Sequence, residues 1–410
     1  MSEKLTVKNV VNINKSTLSA KDNWSTLKYL DTGNITENQI DTLQIFQKGE
    51  KLPSRAKRKV EKGTIIYSTV RPNQKHFGYF DTHSNDLVVS TGFATLDVID
   101  PRINSKYLYY LLTQNSVISQ LQSIGENSTS SYPSIRPEDI GNLSFVFPDI
   151  DIQNKIADIL TSIDKKIQIN NQINQELEAM AKTLYDYWFV QFDFPDQNGK
   201  PYKSSGGKMV YNPELKREIP EGWRVDSLWN IANFYNGLAM QKYRPDTNED
   251  DYLPVIKIRE MMNGFSKDTE RARLDIPSEA VVDRGDILFS WSATLEVIIW
   301  GKEKGALNQH IFKVTSDTYP KSFIYFELKS YLKVFKAIAE LRKTTMGHIT
   351  QDHLKQAKIV VPPIELISKL DAKLQPIMLK QQILENQNQE LTQLRDWLLP
   401  MLMNGQVKVE

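Results

Sequence analysis

The chain has 410 residues, with 51 Lys and Arg against 50 Asp and Glu, so its net charge is +1. The 40% hydrophobic and 25% charged composition is ordinary for folded domains and excludes a disordered or histone-like basic protein. Cysteine is absent, which excludes disulfides, thiolate metal sites and cysteine nucleophiles. No apolar run approaches about 18 residues, so we expect no membrane span. The polar N-terminus has no signal region, so we expect a cytoplasmic location.

An imperfect internal repeat organises the chain. Four segments recur in the same order: 53–56 with 277–280, 61–68 with 283–290, 146–156 with 360–370, and 174–177 with 388–391. The second pair is offset by 222 residues (285 − 63), and the last two pairs by 214 (362 − 148). Matches that keep their order, with only small changes of length between them, indicate a duplication.

Each half begins with a mixed region of short strands and turns. Segments 63–68 and 87–89 are predicted strands because they are short apolar runs flanked by turn residues. Helical stretches are predicted at 106–122 and 321–343. Buried strands, 143–147 and 357–361, then run into Pro148 and Pro362, where a long helix is expected to begin.

The two long helices give the clearest pattern, because apolar residues recur at alternating steps of four and three. The predicted seam includes Ile163, Ile167, Asn174, Leu177 and Leu184 in the first helix and Ile377, Leu384, Asn388, Leu391 and Leu398 in the second. Asn174 and Asn388 occupy matching positions, where a buried Asn would fix register. Pro376 is expected to kink the second helix, and Arg395 faces the seam. The matching patterns favour pairing with each other; two unconnected amphipathic helices are the alternative.

These elements predict an α+β fold, with two mixed domains joined by two long helices. The predicted boundaries are 1–147 and 223–361 for the mixed domains, 148–192 and 362–410 for the helices, and 193–222 for a linker and return segment. The linker is predicted from the polar, Gly-, Pro- and Ser-rich run 194–208.

The search for catalytic chemistry is mostly negative. No phosphate-binding glycine loop, dinucleotide motif or amino-methyltransferase loop is present. His348 and His353 are five residues apart, a spacing that does not suit a zinc site on a helix. Asp196, Glu214 and Lys216 imitate a metal-nuclease pattern, but it is short and lies in or beside the linker. We therefore predict no catalytic residue and no metal site, with a metal-dependent nuclease as an alternative.

Basic residues interleaved with aromatic ones suggest a phosphate-tracking surface. Segment 48–62 carries seven cationic residues against two acidic ones. By charge and loop position, the candidate DNA contacts are Lys57, Arg58, Arg71, Lys75 and His76 in the first domain and Lys242, Arg244, Arg259, Arg271, Arg342 and His348 in the second. The alternative for each of them is an ordinary surface salt bridge.

In its layout and local motifs, the chain resembles the specificity subunit of type I restriction–modification systems. The motifs that carry this resemblance are 62–72, 181–189, 219–223, 284–290, 307–310 and the proline entries to the long helices. The resemblance covers nearly the whole chain. A family element sometimes found before the first domain is expected to be absent or very short, because that domain starts almost at Met1.

The resemblance implies two target recognition domains, each of which reads one half of a split, asymmetric site in double-stranded DNA. It implies that the helices are antiparallel, act as a spacer and dock two methyltransferase subunits, through which restriction (motor–endonuclease) subunits join. At about 1.5 Å per residue, roughly 35 residues span about 50 Å, more than one DNA turn of about 34 Å. S-adenosylmethionine, ATP and Mg²⁺ would be used by partners and not by this chain. A coiled-coil scaffold that does not bind DNA is a further alternative.

Overall fold

The computed structural model describes residues 3–83, 86–246, 251–341 and 348–409, without the side chains of Glu3 and Leu341. It divides into two compact units. Unit 1 comprises Met1–Ile167 with Glu390–Glu410, and unit 2 comprises Gln168–Gln389. Among the described residues, no helix is both long and apolar enough to cross a membrane.

The first half of the chain contains twelve described strands and five described α-helices. In order they are β1 (Glu3–Thr6), α1 (Val7–Val10), β2 (Val11–Ile13), β3 (Thr26–Leu30), β4 (Ile35–Thr36), β5 (Gln39–Ile40), β6 (Gln44–Gln47), β7 (Ala56–Lys59), β8 (Ile65–Ser68), β9 (Phe77–Tyr79), β10 (Leu87–Ser90), β11 (Phe93–Val98), α2 (Ser105–Leu112), α3 (Asn115–Glu126), α4 (Pro137–Gly141), β12 (Ser144–Phe147) and α5 (Ile150–Tyr185).

The second half follows a π-helical turn, Asp186–Val190, at the end of α5. In order its described elements are β13 (Met209–Asn212), β14 (Arg217–Pro220), β15 (Arg224–Ser227), α6 (Leu228–Ile231), β16 (Asn233–Asn236), β17 (Leu253–Ile256), α7 (Ile258–Asn263), β18 (Arg271–Ala272), β19 (Val281–Val282), β20 (Ile287–Ser290), β21 (Glu296–Ile299), β22 (Gly305–Leu307), β23 (Ile311–Thr315), α8 (Lys321–Leu341), α9 (Gln351–Gln356), β24 (Lys358–Val361) and α10 (Ile364–Met403).

The duplication is visible in the sheet topology. Unit 1 has a four-stranded sheet in the order β2-β11-β8-β9, and unit 2 has its counterpart in the order β16-β23-β20-β21. A second sheet, β6-β3-β10-β7, matches β18-β17-β22-β19, and the pair β1-β12 matches β15-β24. In each second sheet the middle pair is parallel and the flanking pairs are antiparallel. The sequence repeat is therefore a repeat of fold.

Gly63 and Gly285 each lie two residues before a matching strand, β8 and β20, and adopt matching turns. Their φ angles are +91° and +90°, in the left-handed region that favours glycine. The same backbone hydrogen bond, across three residues, closes each turn. Thr64 N–H donates to Glu61 O and Asp286 N–H donates to Asp283 O, both at 3.1 Å. Gly63 and Gly285 are therefore turn glycines.

The long helices pair with each other inside each unit. In unit 1, Ile156 and Leu160 of α5 share a buried cluster with Leu402 of α10, and Asp164 contacts Arg395 at 3.2 Å. As the residue on α5 moves forward from Leu160 to Asp164, its neighbour on α10 moves back from Leu402 to Arg395. The two helices are therefore antiparallel there. The predicted pairing is confirmed, and with it the α+β fold class.

Unit 2 shows the same direction of pairing. Asn170, which is fully buried, donates to Asn388 at 2.9 Å, and Gln381 donates to the backbone oxygen of Asn174 at 3.3 Å. Asn174 is the repeat equivalent of Asn388, 214 residues earlier in the chain. The residues that contact Asn388 are nevertheless Asn170 and Asn171, because antiparallel packing brings different positions together.

The predicted seam positions differ in burial. Ile163, Ile167 and Leu384 are buried, and the remaining predicted seam residues, Asn174, Leu177, Leu184, Ile377, Asn388, Leu391 and Leu398, are half-buried. Pro376 lies inside α10, which continues through it to Met403.

Two sequence predictions differ from the structure. Stretch 106–122 is two helices, because Thr113 and Gln114 hydrogen-bond the carbonyls of Tyr110 and Leu111 and end α2. Segment 194–208 has the composition of a loose linker, but its first residue, Phe194, is buried and stacks on Tyr202 with ring centres 4.6 Å apart. Aromatic burial orders a segment that its Gly and Ser content alone would leave loose.

Candidate nucleic-acid interface

The basic strand β7 lies between β10 and the segment around Thr17 and Leu18. Lys57 is exposed and Arg58 is half-buried, and neither forms an ion pair with a described carboxylate. Arg58 Nε is buried without a hydrogen-bond partner among the described residues, and burial lowers the pKa of this guanidinium. A half-buried cation without an acid partner is suited to receive an anion from outside, because its charge is otherwise uncompensated.

Lys59, on the same strand, shows the contrast. Its ammonium contacts Asp22 at 2.6 Å, so its charge is balanced within unit 1. Lys75 is likewise paired with Glu37, and His76 Nδ1 lies 2.5 Å from the carbonyl oxygen of Ile35. Sequence reasoning grouped Lys75 and His76 with Arg58, whereas the fold gives both of them partners within the protein.

Arg71 follows β8 and is exposed. Its φ is +47°, in the left-handed region, although it is not glycine. Its guanidinium lies 5.6 Å from the centre of the Tyr132 ring, and it has no ion pair with a described carboxylate. Stacking leaves the hydrogen-bonding edge of a guanidinium available, because the ring contacts only its face.

In unit 2 the candidate cations gather around β17 and β18. The Arg271 guanidinium stacks on Tyr252 at 4.1 Å. Lys257 contacts Glu270 at 2.5 Å, and the pKa of Glu270 is lowered first by this hydrogen bond and further by the charges of Arg244 and Arg259. The charges of these three cations thus act together on one carboxylate.

The remaining candidates in unit 2 have varied surroundings. Arg259 is also held by buried Glu260, at 2.6 Å. Lys242 and Arg244 are exposed and have no ion pair with a described carboxylate. His348 is exposed, and its ring lies 5.7 Å from that of Trp291. Arg342 lies outside the described residues.

Sequence reasoning missed Trp291. Its indole lies 5.6 Å from the ring of His310 and 5.7 Å from that of His348, and its Nε1 donates to Asn236 Oδ1 at 2.9 Å. The repeat offset places it opposite Thr69, in the loop that ends on Arg71. The 222-residue repeat offset could have identified Trp291 from the sequence, because it aligns the two loops residue by residue.

Within the second sheets, the unpaired cations lie on different strands. In unit 1 Lys57 and Arg58 lie on β7, at one end of the order β6-β3-β10-β7. In unit 2 Arg271 lies on β18, whose counterpart is β6 at the other end. The two domains share a scaffold but present cations from different places on it.

Two of the three nuclease-like residues, Asp196 and Glu214, have structural roles. Asp196 Oδ1 accepts the backbone N–H groups of Asn198 and Lys200, both at 2.8 Å, and Glu214 contacts Lys358 at 3.0 Å. Within the described parts of the chain, no group of three or more His, Asp and Glu side chains could hold a metal ion.

Comparison with known proteins identifies the family. The family described as the type I restriction modification DNA specificity domain matches residues 2–179 and 220–393. The chain is 27% identical to the type I restriction enzyme HindI specificity subunit of Haemophilus influenzae, over 92% of this chain and 94% of that protein. It is also 27% identical to the MjaIX specificity subunit of Methanocaldococcus jannaschii, over 93% of this chain and 84% of that protein.

A solved structure shows the same fold. The crystal structure of the type I restriction–modification S subunit from M. genitalium matches with a TM-score of 0.54 at 15% identity, covering 98% of this chain and 96% of that one. The family match covers most of the chain, once in each half. The chain therefore belongs to the family of type I restriction–modification specificity subunits, with a DNA recognition domain in each half.

Proposed function

We propose that this chain is a non-catalytic subunit that reads a bipartite, asymmetric site in double-stranded DNA and holds two copies of a methyltransferase subunit. The matching sheets with differently placed cations support the asymmetric site. Phosphate and base contacts follow the side chains that a scaffold presents. Two domains with one scaffold and unlike cations should therefore read unlike half-sites.

The observation that carries the scaffolding proposal is a repeated pair of exposed apolar side chains on the long helices. Ile169 on α5 is 51% exposed, and its repeat equivalent on α10, Ile383, is 42% exposed. Met180 and its equivalent Leu394 are 53% and 44% exposed. Large apolar side chains at repeated exposed positions suit protein interfaces, and like surfaces bind like partners.

The cofactors follow from this division of roles. S-adenosylmethionine, ATP and Mg²⁺ are proposed to bind partner subunits, with the restriction subunit joined through the methyltransferase. This chain would supply sequence recognition and the geometry of assembly.

Native mass spectrometry of the chain co-expressed with its methyltransferase subunit tests the scaffold. We expect two methyltransferase copies per chain. Ile169→Asp and Ile383→Asp should each leave one copy, and the double variant none, because a buried carboxylate at a docking face has no compensation. Gln175→Asp, at an exposed position on another face of α5, is the control. A single copy with the unmodified chain, or two copies with the double variant, would refute the scaffold.

A further inference from the structure

The strands β8 and β20 lead into loops of the same unusual backbone form. Arg71 and Ala293, which are 222 residues apart, have φ angles of +47° and +55°. Neither is glycine, so both loops hold a side-chain-bearing residue in a disfavoured conformation. Residues 69–71 and 291–293 are called the left-handed loops below.

The left-handed loops are fastened in the same way. In unit 1, Ile135 N donates to Thr69 O at 2.8 Å, and Val70 forms an isolated antiparallel β-bridge with Ser134. In unit 2, Ile349 N donates to Trp291 O, also at 2.8 Å, and Ser292 bridges His348. The anchoring residues are themselves repeat equivalents, 214 residues apart. The fold therefore imposes this backbone twice.

A buried serine comes directly before each loop and hydrogen-bonds the nearby backbone. Ser68 Oγ donates to Val70 O within the first loop at 2.9 Å, and Ser290 Oγ donates to the backbone oxygen of Thr294, the residue after the second loop, at 2.5 Å. Both serines are no more than 1% exposed. A loop with a buried hydroxyl support and a cross-bridge is pre-organised, so little conformational entropy is lost when it contacts a ligand.

The two loops carry different side chains on this shared backbone. Loop 69–71 presents the exposed guanidinium of Arg71, stacked on Tyr132, which is 40% exposed. Loop 291–293 presents the half-buried indole of Trp291, flanked by His310 and His348. A guanidinium binds phosphate or a guanine edge through a planar fork, whereas an indole offers an apolar face to a base or sugar.

We infer that the left-handed loops are equivalent DNA-contact elements of the two recognition domains, with Arg71 as the contact in the first and Trp291 in the second. This inference rests on DNA recognition by the chain and adds the residues and the chemistry of contact. Contact by Arg71 is ionic and releases counterions; contact by Trp291 is apolar and does not.

The test measures binding of the full chain, assembled with its methyltransferase, to a duplex that carries its methylation site. Arg71→Gly is the variant for the first loop, because glycine favours the left-handed conformation and the loop should still form. Trp291→Phe keeps an aromatic ring in the second loop and Trp291→Ala removes it. The matched controls are Arg102→Ala, an exposed arginine held by Asp100, and Trp229→Ala, a half-buried tryptophan stacked on Phe234.

We expect Arg71→Gly and Trp291→Ala each to weaken binding roughly tenfold or more, with Trp291→Phe between Trp291→Ala and the unmodified chain. The controls should change affinity by less than about twofold. Arg71→Gly should also reduce the dependence of affinity on salt by about one counterion, and Trp291→Ala should leave it unchanged. If the unmodified complex binds its site and both Arg71→Gly and Trp291→Ala bind it equally tightly, the inference is overturned. Absence of binding by the unmodified complex would instead contradict DNA recognition itself.

Discussion

The side-chain amide of Asn170 on α5 donates a 2.9 Å hydrogen bond to the side-chain oxygen of Asn388 on α10. Asn388 in turn donates to Asn171 Oδ1 at 2.7 Å. These two bonds form in one alignment of the helices, so they favour that alignment over shifted ones. Asn170 Oδ1 is buried without a partner among the described residues.

Asn388→Ala should destabilise the protein by about 1–3 kcal/mol, because it leaves the buried amide of Asn170 unpaired. Adding Asn170→Ala should recover part of this loss, with a coupling free energy of about 0.5–3 kcal/mol. Urea unfolding of the two single variants and the double variant measures this coupling. Strictly additive losses would show that the two amides do not interact.

Helix periodicity could be predicted from the sequence, but the contacts between the helices could not. The steps of four and three place Asn174 and Asn388 on the seam without stating which residues face each other. That choice depends on the antiparallel alignment, which brings Gln381 to Asn174. Ion pairs could not be predicted from the sequence either, because they depend on the fold. Lys75 pairs with Glu37, which lies 38 positions away in sequence.

The ordered return segment was also beyond a composition-based prediction. Phe194 stacks on Trp223 with ring centres 5.0 Å apart. This contact joins the two ends of a segment whose glycine and serine content predicts a loose chain. The duplication, in contrast, was readable from sequence, because a turn glycine and the strand after it require the same residue types in both copies.

Arg395→Met should cost about 2 kcal/mol of stability, because the Arg395 side chain is only 19% exposed and contacts Asp164 at 3.2 Å. Asp164 also accepts the hydroxyl of Tyr110 at 2.6 Å, so the loss leaves a charged, hydrogen-bonded carboxylate without its cation. Arg102→Met is the matched control, since that arginine side chain is 60% exposed beside Asp100 and should cost about 0–1 kcal/mol. Equal losses in urea unfolding would show that burial of the Arg395 pair contributes nothing.

Glu327 should make stability depend on pH. Burial raises the pKa of this carboxyl from 4.5 to about 7, although the Tyr185 hydroxyl that it accepts acts in the opposite direction. Between these two pH values the folded state holds a proton that the unfolded state has lost. The free energy of unfolding should therefore fall by about 3 kcal/mol as pH rises through this window, and this contribution should be flat above it.

Glu327→Gln should lack this contribution, because the amide does not titrate. Urea unfolding of both proteins at about pH 5 and about pH 8 measures the difference. The free energy lost by the unmodified protein between these conditions should exceed that lost by the variant. Identical losses would show that Glu327 does not take up a proton on folding.

Arg58→Ala should weaken DNA binding by about 1 kcal/mol or more and reduce the salt dependence by about one counterion, because its charge has no described acid partner. Lys75→Ala should have a smaller effect, because Glu37 already balances Lys75. Fluorescence anisotropy with the methyltransferase-bound complex at several salt concentrations measures both. A larger loss for Lys75→Ala would mean that ion pairs within the protein do not predict which cations face DNA.

The most direct test is to map methylated bases in the DNA of cells that express this chain with its methyltransferase. Two unlike recognition domains on one repeated scaffold predict a motif of two different sequence blocks separated by a fixed number of unspecified bases. A single uninterrupted palindrome would contradict the account.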